Sequence, residues 1–427
     1  MNKSLAKTVA LSFALTLGSE VSAAQSSPEH MNWATSWYAS PQPDWGSDFV
    51  LPTNVPSFIE NQTLSETVRL SAGGKRLRLV FSNRYGRERV VVGAVQLASL
   101  DLSSANIKQS VTFGGQRNAI MAPGAQLTSD PIDVTVKPLT QLSIKSYFPQ
   151  RTAITSFHWG EQQTVEVASG DWTSRSGFRP DSNIKGRLFL SGVLVERPVP
   201  ARTVVTLGDS ITDGNGSTPN EDRRWPDFLA KRLASQGIAV ANAGISGARL
   251  LRDGMGVNAL ARIEQDVLSQ PGVTDVIVLL GINDIGWPGS PFAPAERQMT
   301  LADLVFGYSQ LIASAHARGL RITAGTLPPF EGALEGTPFA GHYSPAKEQL
   351  RQEVNHWIRN EANFDSVVDF DSLLRDPSNL KRLQPVYDSG DHLHPGDAGY
   401  QAMANAIDIT VLARPLARSA KPAQGER

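Results

Sequence analysis

The sequence predicts a chain in two parts: an antiparallel β-sandwich or jelly-roll-like region, then an α/β region built on a parallel sheet. Three observations predict it. Short runs of period-two alternation fill about residues 32–199. The stiff, Pro-rich stretch Arg197-Pro198-Val199-Pro200 follows. Beyond it, from about residue 201 to 413, short apolar β-branched runs alternate with helical patterns. A length of 427 residues favours two domains over one, and a hydrophobic content of 41% supports packed cores. The formal charge of −1 gives no electrostatic reason to expect nucleic acid or an anionic membrane as partner. The absence of cysteine removes disulfides, thiolate nucleophiles and cysteine metal sites together.

Residues 1–24 read as a signal peptide. Lys3 and Lys7 form a positive start, Val9 to Leu17 is an apolar run too short to span a bilayer, and Val21-Ser22-Ala23 supplies small residues for cleavage. Export to the periplasm or the extracellular space is therefore expected. No later run is long and apolar enough for a membrane helix, so the mature chain is expected to be soluble, without an integral membrane segment.

In the β region, Thr67 to Leu70 and Arg76 to Phe81 alternate, with Gly73-Gly74 between them as a hairpin turn signal. Val90 to Leu97 and Gln141 to Phe148 repeat the pattern, and Leu188 to Val195 reads as the last strand. Trp33, Trp37, Tyr38, Trp159 and Trp172 have faces that stack on sugars, although most are expected to fill the sandwich core. The segment Trp33 to Trp37 is too aromatic for an ordinary loop and is expected to pack against the region that follows.

After residue 200 the elements alternate. Val204 to Leu207 is a strand, followed by a helix near Trp225–Ser235 with Pro226 at its start and Gly237 at its end. Strand Ile238–Ala241, a helical pattern from Ala259 to Leu268 and the buried strand Val276–Leu280 come next. A helix over Leu301–Ala317 stops at Gly319, and Leu320–Thr326 is a strand. Ser344 caps a long helix that reaches about Asn360, Val367–Phe370 is the last strand, and a final helix starts after Pro395. The tail, 414–427, is expected to be frayed.

Chemistry concentrates in four blocks. Val204 to Gly214 reads as a strand that stops at Gly208 and presents Ser210 at its carboxyl end, where open α/β sheets place their ligands. On its own such a serine is as readily a helix N-cap. Downstream come Asn242-Ala243-Gly244, Gly281-Ile282-Asn283-Asp284 and Asp391-His392-Leu393-His394-Pro395. In order and spacing the four blocks resemble the SGNH (GDSL-type) hydrolases over roughly the C-terminal half of the chain. The resemblance implies a flavodoxin-like strand order and a serine esterase. It implies Ser210 as nucleophile, His394 as base, Asp391 as its orienting carboxylate, and an oxyanion hole from the Ser210 and Gly244 backbone N–H groups and the Asn283 amide. Those residue types suit acyl transfer, because a hydroxyl needs a base, the base needs a fixed tautomer, and the oxyanion needs donors.

Each block also has a plainer reading. Asp209 and Asp284 are expected to brace turns, and His392 to be a neighbour of His394 on its loop. The remaining histidines, His30, His158, His316, His342 and His356, are expected on the surface or as satisfied structural groups. Asp391, His392 and His394 can alternatively be read as metal ligands, although no further ligand block accompanies them.

A narrower resemblance, to arylesterases and acylhydrolases of xylan-degrading bacteria, rests on Gly214–Pro219, Arg224-Trp225, Asn242–Gly247 and Gln270–Asp275. It implies short acyl groups, such as acetyl, on plant polysaccharide or an aryl alcohol, with neither cofactor nor metal. Trp287 reads equally as a wall of the substrate pocket or as packing. The Gly- and Pro-rich segment Thr326–Ser344 is expected to lie over the carboxyl edge of the sheet. A metal-dependent deacetylase, a non-catalytic carbohydrate-binding protein and a longer-chain lipase or thioesterase remain open alternatives.

Overall fold

The computed structural model describes residues 32–100, 107–197 and 200–414. The signal-peptide reading, His30, two residues of the Pro-rich stretch and the tail beyond Arg414 lie outside the described residues.

The N-terminal region is a sandwich of antiparallel sheets. Among the described residues, one sheet orders its strands Asn32–Tyr38, Leu190–Arg197, Leu77–Ser82 and Gln126–Thr128. The facing sheet runs Ser182–Leu188, Ser156–Ser169, Gln62–Arg69, Gln141–Phe148, Ala94–Ser99 and Lys108–Val111. Alternation along Gln141–Phe148 sends Leu142, Ile144 and Phe148 into the core with Leu64, Val68, Leu79 and Phe81.

Gly73-Gly74 does not close a hairpin. Gln62–Arg69 pairs with Gln141–Phe148 and Ser156–Ser169, whereas Leu77–Ser82 belongs to the other sheet. The two glycines carry the chain between sheets at close quarters. A Cβ would stand 2.4 Å from Val136 O at Gly73 and 2.5 Å from Glu196 O at Gly74. The glycines are therefore demanded by backbone crowding rather than by turn conformation.

The α/β region forms a parallel sheet with strands β1 (Thr203–Gly208), β2 (Ala239–Gly244), β3 (Val273–Leu279), β4 (Arg321–Gly325) and β5 (Ser366–Val368). Their order is 2-1-3-4-5, all pairs parallel, which is the flavodoxin-like arrangement. The main helices are α1 (Ser210–Asp213), α2 (Trp225–Leu233), α3 (Ile282–Gly286), α4 (Leu301–Ala317), α5 (Pro345–Asn360) and α6 (Asp397–Ala406). Local chemistry sets several ends. Gly237 takes a left-handed conformation after α2, Thr300 and Asp303 form a capping box on α4, and Ser344 Oγ accepts from Lys347 N to start α5. The pattern over Ala259–Leu268 is a short α-helix that widens into a π turn at Glu264. Among the described residues no helix is long and apolar enough to cross a membrane.

The aromatic segment near the start is an edge strand that docks on the α/β region. Thr35 N–H donates to Pro271 O at 3.1 Å and Thr35 Oγ1 to Gln270 Oε1 at 3.0 Å. Tyr38 OH donates to Asp266 Oδ1 at 2.8 Å, and Trp37 is buried under the Arg187 guanidinium. The contact surface is thus polar as well as apolar, and it fixes the orientation of the sandwich on the sheet.

Candidate active site

Strand β1 is buried throughout and ends at Gly208, where the chain turns at once into α1. No side chain fits at that turn: a Cβ on Gly208 would lie 2.0 Å from Thr212 Oγ1 and 2.7 Å from Leu279 O. Asp209 caps α1, its Oδ1 accepting from Ile211 N at 3.0 Å. Its Oδ2 is buried and has no hydrogen-bond partner among the described residues, and burial pushes the Asp209 carboxyl up to about 7. Ser210 is thereby placed at the first position of a helix, with a backbone N–H that the helix leaves unused.

His394 reaches Ser210 across 184 residues of sequence, with Nε2 to Oγ at 2.7 Å. Its Nδ1 lies 2.6 Å from Asp391 Oδ2. Asp391 Oδ1 accepts from the backbone N–H groups of Leu393, at 2.9 Å, and His394, at 2.8 Å. Burial opposes ionisation of Asp391, but the His394 hydrogen bond and charge and these backbone donors outweigh it and hold the carboxyl well below the usual range. With an ionised acceptor at Nδ1, the imidazole keeps its proton there and offers Nε2 to the serine. His392 turns away, pairing through Nδ1 with Asp388 and adopting a positive φ of 61°. Asp391, His392 and His394 therefore do not converge on one point. Among the described residues no group of three or more such side chains is arranged to hold a metal ion.

The donors beside Ser210 differ in part from expectation. Asn283 is buried on α3 just past β3, and its Nδ2 donates to Ala248 O at 3.1 Å, leaving a second N–H. Gly244 N–H is already committed to the Asn242 side chain at 2.9 Å. The need for glycine there is steric, since a Cβ would lie 2.4 Å from Asp213 N. Gly247, three residues on, has an N–H without a partner among the described residues, and the Asn283 amide binds the carbonyl of the next residue. Gly247 has a φ of 73°, and a Cβ there would strike Met255 Sδ and Trp287 Cζ2 at 2.6 and 2.9 Å. The sequence signal for Gly247 was the second glycine of Asn242–Gly247.

Trp287 is 2% exposed. Its indole stacks on Phe292, with 5.0 Å between ring centroids, and carries the Arg249 guanidinium on its face. It packs beneath the Gly247 loop and is not a wall of an open pocket. Asp284 braces the same loop by accepting from Leu250 N at 2.7 Å and Leu251 N at 3.3 Å; burial pushes its carboxyl up to about 6. The segment Thr326–Ser344 is tied to the triad loop, with Leu334 N–H donating to Asp391 O at 2.9 Å. On it, His342 is fully buried, with neither ring nitrogen hydrogen-bonded among the described residues, and burial pushes its pKa down to about 3. It is thus a neutral packed ring rather than a satisfied or surface one.

Sequence reasoning missed one contributor from the sandwich. His158 is buried, with Nδ1 2.8 Å from Ser40 O and Nε2 3.0 Å from Asp213 Oδ1. A carbonyl only accepts, so Nδ1 carries a proton toward Ser40 O, and Nε2 shares a hydrogen bond with Asp213. Asp213 Oδ2 in turn accepts from Ser246 Oγ at 2.6 Å and Ser246 N at 3.1 Å. A sandwich residue therefore helps hold the loop that presents Gly247. One histidine in an alternating strand gives no local sign of this.

A serine, an imidazole and a carboxylate hydrogen-bonded in line at the carboxyl end of a parallel sheet, with backbone and amide donors beside the serine, form an arrangement with the chemistry that acyl transfer requires. Residues 206–402 match the GDSL-like Lipase/Acylhydrolase family, and this part of the chain belongs to it. The chain is a carboxylic ester hydrolase. Among solved structures, a GDSL-like lipase from Bacteroides thetaiotaomicron is 21% identical over 50% of this chain and 87% of its own, with a TM-score of 0.37. An aryl esterase from M. smegmatis is 20% identical over 50% of this chain and 97% of its own, with a TM-score of 0.39. A carbohydrate acetylesterase family member from Sinorhizobium meliloti is 19% identical over 49% and 97%, with a TM-score of 0.37. None of the curated proteins compared matches the chain.

Proposed function

We propose that the chain is an exported serine esterase, periplasmic or extracellular, that hydrolyses short-chain acyl esters, acetyl foremost, of carbohydrate or aryl alcohols. The observation that carries this reading is the hydrogen-bonded line Ser210–His394–Asp391, with distances of 2.7 and 2.6 Å. Ser210 Oγ attacks the acyl carbonyl while its proton passes to His394 Nε2. The imidazolium is stabilised by Asp391. The tetrahedral oxyanion is held by the N–H groups of Ser210 and Gly247 and by the free N–H of Asn283. Collapse expels the alcohol, protonated by His394, and leaves the acyl group on Ser210. Water, deprotonated by the same imidazole, then releases the acid. The short-chain preference rests on the resemblance of Gly214–Pro219, Arg224-Trp225, Asn242–Gly247 and Gln270–Asp275 to arylesterases and acylhydrolases of xylan-degrading bacteria. The export part of the reading rests on residues 1–24.

The test is hydrolysis of a chromogenic acyl series from acetyl to dodecanoyl, by the mature protein and by Ser210→Ala. Activity confined to short chains and lost in the variant is expected. A maximum at long chains overturns the acyl preference. Equal rates in wild type and a folded Ser210→Ala overturn the nucleophile.

A further inference from the structure

The alcohol side of the ester has no assigned place in the site above. Two adjoining hollows lie along the sandwich, and the inner one reaches the α/β region at Asn215 and Pro219. The inner one, with a volume of 290 Å³, is lined by Trp159, Gln162, Gln163, Lys185 and Asn215 among others. The outer one, with a volume of 510 Å³, is lined by the polar Glu60, Gln62, Ser182 and Asn183 and by apolar residues such as Phe58 and Ile184. Asn54 borders both, and the strand Ser182–Leu188 walls both, so together they form one groove.

The inner end of the groove is fixed to the catalytic centre. Asn215 N–H donates to the carbonyl of Ser210 itself at 2.9 Å. Asn215 Oδ1 accepts from Ser246 Oγ at 3.1 Å and from Gln162 Nε2 at 3.2 Å. A ligand resting against Asn215 therefore sits about one helical turn from the nucleophile, next to the loop that carries Gly247.

The lining has the chemistry of a polyhydroxylated ligand. Trp159 is half-buried and tilted against Trp45, and it supplies an aromatic face. Neither its indole N–H nor the exposed Lys185 ammonium has a hydrogen-bond partner among the described residues. Amides and hydroxyls make up much of the remaining surface. A sugar ring offers a C–H face to the indole and hydroxyls to these donors and acceptors. An alkyl chain would leave them desolvated and unpaired.

We propose that this groove binds the glycan part of the substrate, an oligosaccharide that runs from Asn215 out to Ser182. The orientation of the glycan, with its acylated sugar innermost, rests on the esterase reading above. The N-terminal sandwich then supplies most of the glycan contacts, while the α/β region supplies the chemistry.

The experiment is calorimetric titration of Ser210→Ala with unacylated xylo-, manno- and cello-oligosaccharides, from disaccharide to hexasaccharide. The chromogenic acetate is assayed in parallel with the wild-type protein. Affinity that rises with chain length in at least one series is expected. Trp159→Ala should weaken it about tenfold, the scale of a lost stacking contact. The exposed Lys185→Ala, a milder change that leaves the packing around Trp45 intact, should weaken it severalfold. No binding in any series, or affinity unchanged by both substitutions, overturns the groove. If that occurs while the acetate is still hydrolysed, the esterase reading stands and the groove alone falls. If oligosaccharides bind as expected and no ester is turned over, the esterase reading falls and the groove stands.

Discussion

Replacing His158 by alanine tests whether the sandwich is part of the catalytic machinery. In the folded protein the imidazole bridges Ser40 O and Asp213 Oδ1. Its removal leaves Asp213 Oδ1 without a partner in a side chain that is 1% exposed. Leaving a buried polar group without its hydrogen-bond partner costs about 1–3 kcal/mol. Asp213 Oδ2 keeps its two Ser246 bonds, so a loss of about 2 kcal/mol is expected. Urea unfolding of the variant beside wild type gives that number. A second readout separates position from stability. Asp213 anchors Ser246, one residue before Gly247, so kcat for a short acyl ester should fall tenfold or more under conditions where the variant is fully folded, with KM changed far less. His158→Gln, which restores a donor toward Asp213, should recover part of both losses. A His158→Ala protein within about 0.5 kcal/mol of wild type, the usual range of neutral surface changes, with unchanged kcat, would refute the reasoning.

Other outcomes follow from the same geometry. Asn283→Ala should fold with little loss and reduce turnover by about 10²–10³, measured as kcat on the acetyl ester; full activity would remove Asn283 from the oxyanion hole. Gly244→Ala should cost about 1–3 kcal/mol or more in unfolding free energy, because the new Cβ meets the backbone of α1, which cannot yield as a side chain would. Asp209→Asn concerns pH. The folded carboxyl titrates near 7, above its ordinary value, so wild-type folding is favoured while Asp209 is protonated. That contribution is fully present below about pH 4 and is lost as pH rises through about 7. The melting temperature of the variant relative to wild type should therefore climb from pH 4 to pH 8. A difference that stays flat across that range would show that Asp209 does not titrate there.

The readable part of the site was its local part. The Asp391-to-His394 spacing brings carboxylate and imidazole together within one loop, because the Leu393 and His394 amides both donate to Asp391 Oδ1 within that short turn. The ends of α2, α4 and α5 were legible for the same reason: Gly237, Gly319 and Ser344 bond to residues within a turn of themselves. The illegible part came from crowding at a distance. Gly73-Gly74 carries ordinary hairpin glycines, and only the positions of Val136 and Glu196 make them a crossing between sheets. Gly244 looked like the donor because a glycine admits a close ligand. In the folded chain its space is taken by α1 and its N–H by Asn242, and the unused N–H belongs to Gly247. Trp287 looked equally like pocket and packing, and Phe292 and Arg249 decide for packing.

The sequence by itself determined the strand and helix order of the α/β region, the turn that presents Ser210, and the residue types that meet there, because periodicity, capping and i-to-i+3 hydrogen bonds depend on neighbours in the chain. The tertiary structure decided which glycine keeps an N–H without a partner among the described residues, and that His158 of the sandwich braces Asp213 near Ser210. Those pairings are made where surfaces meet. Each is a distance between atoms that no local pattern encodes, fixed only when both cores have packed and the sandwich has docked on the sheet.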